Sequence, residues 1–182
     1  MARENKSLYA ILGCLSKRQW MSGYDIKHIM EKMSASYWAE SNAQIYPLLK
    51  KLYNDKMLDM KEDNEGPRKR YLYKITPKGK EELIKWLSTP PTDLPLQRNE
   101  WLLKLSLGQH LDLKIMIHHI ESYLDKLTQR KNKLDGVLEH IDETHKGRAD
   151  QPFLQATYRY GDLILEAQIK WCKEIIERFK SM

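Results

Sequence analysis

Two short segments in the first half of the chain carry side chains suited to hydrogen bonding with a polyanion or with base edges. The segment SNAQIYPLLKKLYNDKML, residues 41–58, contains two amides and two lysines: Asn42, Gln44, Lys50 and Lys51. Amide side chains pair with adenine, and lysines neutralise phosphates. The second segment is the consecutive run Arg68, Lys69 and Arg70, which suits a phosphate or minor-groove contact. Both segments indicate binding rather than covalent chemistry.

The sequence carries none of the common signatures of covalent or metal chemistry. His118 and His119 are adjacent, and on a helix adjacent side chains point about 100° apart, so they cannot chelate one ion as an i, i+4 pair would. There is no C-x-x-C, H-E-x-x-H, glycine-rich phosphate loop or nucleophile elbow. We therefore predict no enzyme activity, no catalytic residue, no metal ligand and no cofactor.

The segment that begins at Ser41 is predicted to form an amphipathic helix that contains a proline and ends near Asp55–Lys56. Ser41 and Gln44 have the spacing of a capping box, and an apolar stripe follows at i, i+3, i+4 and i+7. The stripe consists of Ile45, Leu48, Leu49 and Leu52. Pro47 has no N–H, but at about 100° per residue it points away from this stripe, where water or DNA can satisfy the carbonyl left unpaired. Its ring either meets thymine methyl groups or only bends the start of the helix, and both interpretations remain open.

The elements around this helix predict a winged helix-turn-helix domain over residues 1–90. Helical patterns in SLYAILGCLS and SGYDIKHIMEKM come before it, and the strand patterns MLDMKED and KRYLYKIT come after it, joined by the loop NEGPR. Thr76-Pro77 then supplies an N-cap and a first-turn proline for a fourth helix. In this arrangement the third helix enters the major groove and the loop between the strands reaches the DNA backbone. The alternative is an exposed basic hairpin without a partner.

The charge distribution supports a polyanionic partner for the first half of the chain. The net charge of +6 is not spread evenly, because residues 1–90 hold 17 Lys and Arg against 11 Asp and Glu. Residues 91–182 hold 14 of each. Segregated positive charge favours binding of a polyanion such as double-stranded DNA.

Residues 91–182 are predicted to form an all-helical region after a proline-rich linker, TPPTDLPLQ. Two heptad series run along one long helix, and Lys131 is their only polar member: Leu113, Ile120, Leu127, Leu134 and Ile141, with Ile117, Leu124, Lys131 and Leu138. This repeat is typical of a coiled-coil-like seam. Lys131 either marks a wet region of the seam or extends its amine to water, and the second account is simpler. The predicted fold is therefore mainly α, with one β-hairpin wing in the N-terminal domain and long helices after it.

The last predicted helix, about residues 153–180, has two apolar faces and therefore needs two neighbours. One face carries Phe153, Ala156, Tyr160, Leu163 and Ala167, and the other carries residues spaced by seven: Tyr158, Leu165, Cys172 and Phe179. Because this half offers few other helices, we expect a homodimer. The predicted interface comprises Leu113, Ile117, Ile120, Leu124, Leu127, Leu134, Leu138, Tyr158, Leu165, Cys172 and Phe179.

Trp101 and Trp171 admit two interpretations in this helical region. They line a pocket for a small aromatic or lipophilic effector, since ligand sites are mostly apolar with a few polar groups. Alternatively they fill the dimer core, as large aromatic side chains commonly do, and we favour this second interpretation.

Four blocks of the sequence resemble the PadR family of bacterial transcriptional regulators: SNAQIYPLLKKLYNDKML, GYDI, RKRYLYKITPKGKEEL and RNEWLLKLSL. The resemblance implies a homodimeric winged-helix protein that binds near-palindromic operators, usually as a repressor, and that phenolic acids or hydrophobic drugs release in some members. It also implies roles for individual residues. Tyr24 contacts the DNA backbone, Asn42, Gln44, Tyr46 and Lys50 approach the groove, and Lys69 and Arg70 form the wing contact. The alternative function is a protein-interaction adaptor without specific DNA binding.

The remaining features predict a cytoplasmic location. No run approaches the ~18 apolar residues of a transmembrane helix, and MARENKSLYA lacks the apolar stretch of a secretory signal. Cys14 and Cys172 lie far apart in helical patterns, which favours two reduced, buried thiols over a disulfide.

Overall fold

The computed structural model describes residues 6–17, 19–34, 42–63, 70–91 and 99–182, apart from the side chains at positions 32–34, 42 and 43. The chain divides into two compact units, Met1–Leu94 and Pro95–Met182. No helix in the part of the chain that the structure describes is long and apolar enough to cross a membrane.

The first unit has the predicted order of helices and strands, with one strand added. Its elements are α1 (Ser7–Ser16), β1 (Met21–Ser22), α2 (Gly23–Ser34), α3 (Asn42–Asn54), β2 (Leu58–Asp63), β3 (Arg70–Ile75) and α4 (Pro77–Leu87). The strands form an antiparallel sheet in the order β1-β3-β2. The sequence analysis missed β1, because two residues cannot show the alternation by which a strand is recognised.

The core of the first unit is built from apolar side chains of the predicted helices. Ile11 and Leu15 of α1, Ile26 of α2 and Leu49 of α3 are fully buried in one cluster. At the edge of this cluster the rings of Tyr9 and Trp86 stack with centroids 4.6 Å apart, which attaches α4 to α1. These contacts fix α3 through its apolar side and leave its other side outward.

The second unit is dominated by a helical hairpin. It contains α5 (Glu100–Ser106), a 3₁₀ turn at Gly108–His110, α6 (Leu113–Thr144) and α7 (Gln151–Lys180). The two long helices run antiparallel, because polar contacts join opposite ends. The amine of Lys180 lies 3.2 Å from a carboxylate oxygen of Glu121. The side-chain amide of Gln155 donates a hydrogen bond of 2.6 Å to the carboxylate of Asp142.

The heptad repeat of α6 is explained by packing within one chain. Ile120, Leu127 and Leu134 are buried in one cluster with Leu165 and Cys172 of α7. A strict seven-residue repeat is what two long helices need to stay in contact along their length. The expectation that these side chains face a second subunit is therefore not needed to account for the repeat.

Lys131 does not extend to water as the simpler prediction held. Its Nζ lies 2.7 Å from a carboxylate oxygen of Asp135 and 2.7 Å from one of Asp162. Asp162 on α7 is only 3% exposed, and Arg159 contacts its second oxygen. The hydrogen bond from Lys131 holds the pKa of Asp162 below its usual range, and the two carboxylates raise the pKa of Lys131. The polar interruption of the seam is thus an ion-pair cluster between α6 and α7.

Candidate nucleic-acid interface

The outward face of α3 carries the predicted polar residues. The helix runs unbroken from Asn42 to Asn54, with Gln44, Tyr46, Pro47, Lys50 and Lys51 exposed. The apolar stripe Ile45, Leu48, Leu49 and Leu52 is buried beneath them, as predicted. Pro47 is therefore tolerated on the outward side of a continuous helix. Asn42 begins the helix, and its side chain lies outside the described atoms.

The C-terminal end of α3 is held by a motif that the sequence analysis did not identify. Lys56 adopts a left-handed conformation with φ of 60°, which is uncommon for a residue with a Cβ. The N–H of Met57 donates to the carbonyl of Leu52 at 2.9 Å, and the N–H of Lys56 donates to that of Tyr53 at 3.0 Å. This pair of bonds is a Schellman motif, which usually has glycine at the left-handed position. The absence of glycine at position 56 removed the signal that would have predicted it.

The start of α4 is hydrogen-bonded to the turn after α3. Thr76 caps α4 by accepting from the N–H of Gly79 at 3.1 Å, and its hydroxyl donates to the carbonyl of Lys56 at 2.9 Å. The amine of Lys78 donates to the carbonyl of Asp55 at 2.8 Å. Gly79 lies so close that a Cβ there would be 2.3 Å from the carbonyl oxygen of Met57. These contacts fix the α3 end against α4. The sequence predicted the Thr76 cap but not these connections.

The start of α2 lies beside this surface and is capped by a reciprocal pair. The hydroxyl of Ser22 donates to the carboxylate of Asp25 at 2.7 Å, and the N–H of Asp25 donates back to that hydroxyl at 3.2 Å. The segment SGYDIKHIMEKM has Ser22 at this cap position, which is the residue type expected there. Tyr24, in the first turn, is 69% exposed, so its ring is available to a partner.

The wing is described only at its base. Arg70 opens β3 directly opposite Asp63 of β2, and its Nε lies 2.5 Å from the Asp63 carboxylate. The guanidinium is therefore held in place by a cross-strand ion pair. Arg68 and Lys69 lie outside the described residues, so their predicted contacts stay predictions.

A second group of lysines lies on the sheet face opposite the core and was not predicted. The amine of Lys61 lies 4.7 Å from the centroid of the Trp20 ring, and that of Lys74 lies 5.9 Å from it. Lys74 also lines a cleft of about 280 Å³ with Lys17 and Lys80. Trp20 therefore supports a basic surface and does not belong to the core. The feature of the sequence that could have predicted this basic surface is the lysine on the polar face of each strand, Lys61 in β2 and Lys74 in β3.

The predicted interface residues are distributed over the α6–α7 hairpin. Ile120, Leu127, Leu134, Leu165 and Cys172 are buried within it. Four others are half-buried against the same cluster: Ile117, Leu124, Tyr158 and Phe179. The remaining two, Leu113 and Leu138, are half-buried at other positions of α6. Both cysteines are buried, and burial raises the pKa of the Cys172 thiol.

The other apolar face of α7 lies open. Phe153 is 74% exposed, and Tyr160, Leu163 and Ile164 are also exposed. One of the two predicted apolar faces packs on α6, whereas the other is exposed in the single chain, so its second neighbour stays a prediction.

Trp101 and Trp171 lie together in the second unit with Tyr123. Trp101 packs edge-on against Tyr123, with centroids 5.4 Å apart, and against Trp171, with centroids 6.2 Å apart. Burial raises the pKa of Tyr123. The indole nitrogen of Trp101 is buried and has no hydrogen-bond partner among the described residues. The three rings pack against the hairpin core, and one of them presents an unused donor.

Known proteins resemble this chain over nearly its whole length. The transcriptional regulator PadR-like family matches residues 11–85, and the C-terminal region of the virulence activator alpha family matches residues 97–180. The negative transcriptional regulator PadR of Bacillus subtilis strain 168 is 29% identical over 134 residues, which is 73% of each chain.

Two solved structures of Bacillus subtilis PadR share the fold. The complex with operator DNA superposes with a TM-score of 0.85 at 23% identity, over 96% of this chain and 99% of that one. The complex with p-coumaric acid gives a TM-score of 0.79 at 23% identity, over 97% and 99% of the two chains. The match over residues 11–85 and the relative from Bacillus subtilis thus make the winged-helix region of the chain similar to PadR-like transcriptional regulators.

Proposed function

We propose that this regulator is a DNA-binding repressor that acts in the cytoplasm as a homodimer on a near-palindromic operator. The observation that carries the proposal is the outward face of α3, where Gln44, Tyr46, Lys50 and Lys51 are exposed above a fully packed apolar stripe. The Bacillus subtilis PadR, which has the same fold, is known in complex with operator DNA.

In this function each recognition helix enters a major groove. Two such helices related by a dimer axis read half-sites about 34 Å apart, or roughly 10 base pairs and its multiples. Lys50 and Lys51 neutralise phosphates and supply affinity, whereas the amide of Gln44 discriminates bases and favours adenine. The N–H groups at the start of α3 add positive potential on the same side.

Selection of bound sequences from random double-stranded DNA tests the proposal. We expect an inverted repeat whose half-site spacing is about 10 base pairs or a multiple of it. An adaptor that uses its basic face to dock an acidic protein would bind all duplexes alike, so competition between the selected duplex and a scrambled one separates the two functions. Equal competition by both duplexes would contradict the proposal.

The open face of α7 supports a homodimer through the second unit. Exposed side chains on one helix face, including Phe153 and Leu163, form an apolar area that a stable monomer rarely leaves uncovered. Leu163→Glu should shift the protein to monomers in analytical ultracentrifugation. Gln129→Glu adds the same charge at an exposed position of α6 and should leave the dimer intact. A dimeric Leu163→Glu protein would place the interface elsewhere.

The aromatic cluster around Trp101 supports release by a small aromatic effector. Its buried indole N–H lacks a partner, and an unpaired buried donor is favourable for a ligand with an acceptor oxygen. The relative from Bacillus subtilis is known in complex with p-coumaric acid, which is such a ligand. Titration with aromatic acids should quench tryptophan fluorescence and release the selected duplex, and Trp101→Phe should weaken both effects. Release of DNA that is insensitive to this substitution would contradict the assignment.

A further inference from the structure

Gly23, at the start of α2, lies directly against the ring of Tyr46 on α3. A Cβ at position 23 would lie 2.8 Å from Cε1 of Tyr46 and 3.4 Å from a methyl carbon of Leu49. Carbon atoms in contact prefer about 3.5–4.0 Å, so the first distance cannot be accommodated without movement. Gly147 is the only described glycine with a positive φ. The approach of Tyr46, rather than backbone conformation, therefore accounts for glycine at position 23.

Tyr46 is the group that would move if position 23 carried a side chain. Leu49 is fully buried, whereas the Tyr46 side chain is 54% exposed and free to swing outwards. The backbone at the start of α2 is held by the Ser22–Asp25 cap, in which the Ser22 N–H and hydroxyl both donate to the same carboxylate oxygen at 3.0 and 2.7 Å. The cap holds the backbone of α2, and Leu49 is packed in the core. A methyl group at position 23 would therefore displace the Tyr46 ring.

We propose that Gly23 is a positioning residue for DNA binding, because it sets the place of the Tyr46 ring on the outward face of α3. This inference rests on the proposed function. Tyr24, the next residue of α2, is exposed, so α2 and α3 present two tyrosines to the same duplex. The bare backbone of Gly23 lets the Tyr46 ring pack against the first turn of α2. The binding surface thus consists of α3 together with the first turn of α2.

Fluorescence anisotropy with the selected duplex tests the inference in the full-length protein. Gly23→Ala should weaken binding about tenfold, similar to Tyr46→Ala, which removes the contact itself. The melting temperature and dimer state of Gly23→Ala should stay near those of the wild type, because the displaced ring is at the surface. Gly13→Ala is the matched control, since a Cβ at position 13 meets nothing within 4 Å, and it should bind as the wild type does.

The decisive comparison is between Tyr46→Ala and the double variant Gly23→Ala/Tyr46→Ala. If Gly23 acts through the Tyr46 ring, the two should bind within about twofold of each other, because the second substitution has nothing left to displace. A further tenfold loss in the double variant, failure of the double variant to fold, or wild-type binding by Gly23→Ala would each overturn the inference. Wild-type protein that selects no duplex would instead overturn the proposed function.

Discussion

The ion-pair cluster between α6 and α7 gives a quantitative prediction for the stability of the second unit. Lys131 lies 2.7 Å from Asp162, which is almost fully buried. Removing one partner of a buried pair costs about 3–5 kcal/mol, because the other charge remains without compensation. Arg159 should still contact Asp162 after this change. We therefore expect Lys131→Met to lower the free energy of unfolding by about 3 kcal/mol, the lower limit of that range.

Urea unfolding followed by circular dichroism measures this loss at one fixed protein concentration, because an oligomer gains stability with concentration. With a slope of about 2–3 kcal/mol per molar urea, the midpoint should fall by about 1–1.5 M. Lys133→Met is the matched control, since Lys133 is exposed on the same helix, and its free energy of unfolding should change by less than about 0.5 kcal/mol.

A double variant separates the ion pair from general damage to the hairpin. Lys131→Met/Asp162→Leu removes both charges, and apolar replacement of a buried pair is often neutral or stabilising. We therefore expect it to recover most of the loss caused by Lys131→Met. A loss below about 1 kcal/mol in the single variant, or a double variant less stable than the single one, would refute the argument.

The difference in stability between the wild type and Lys131→Met should depend on pH in a defined direction. The folded-state pKa of Asp162 is lowered, chiefly by the hydrogen bond from Lys131, so its contribution is present above the unfolded value of about 3.9. That contribution is lost as pH falls through the folded value. The difference in stability between the wild type and Lys131→Met should therefore be complete at pH 7 and shrink in acid below about pH 4. A difference that stays constant in acid would assign the loss to packing.

Three further substitutions test the first unit. Gln44→Ala should relax base preference at one position in each half-site at a cost of about 1–3 kcal/mol in binding, and an unchanged consensus from selection would exclude Gln44 as a reader. Gly79→Ala should destabilise the unit by about 1–3 kcal/mol in urea unfolding, because the added methyl overlaps the carbonyl of Met57, whereas Gly13→Ala should not destabilise it. Lys56→Gly should raise the free energy of unfolding by about 1 kcal/mol, since glycine adopts its positive φ without strain. A loss of stability in this last variant would show that the Lys56 side chain contributes more than the strain costs.

The sequence predicted those parts of the fold that depend on periodicity. The stripe from Ile45 to Leu52 needs only the geometry of a helix to be recognised, and the structure buries all four of its members. Placement of Pro47 on the exposed side follows from the same geometry. Thr76 and Ser22 were also predictable, because each cap hydroxyl accepts from a backbone N–H only three residues further along the chain.

Contacts between distant segments were not predictable in this way. The hydroxyl of Thr76 reaches the carbonyl of Lys56, twenty residues away, and no local pattern encodes that pair. The left-handed Lys56 lacked the glycine that marks such a position. The closeness of Gly79 to Met57 likewise depends on how α4 returns to the end of α3. These unpredicted contacts are the ones that fix the end of the candidate DNA-binding helix.

The heptad repeat of α6 shows why periodicity alone cannot identify the helix that packs against it. A seven-residue spacing states that a long helix contacts another long helix, but it does not state which chain supplies that helix. Here α7 supplies it, and the short connection between α6 and α7 makes this the local solution. Lys131 and Asp162 favour the partner helix from the same chain. A charge on the contact face of α6 needs an opposite charge at the matching position along the partner helix, and Asp162 of α7 supplies it. A register fixed in this way brings one face of α7 onto α6 and leaves the face that contains Phe153 and Leu163 open. The polar interruption of the seam therefore determines which apolar face of α7 a second subunit can cover.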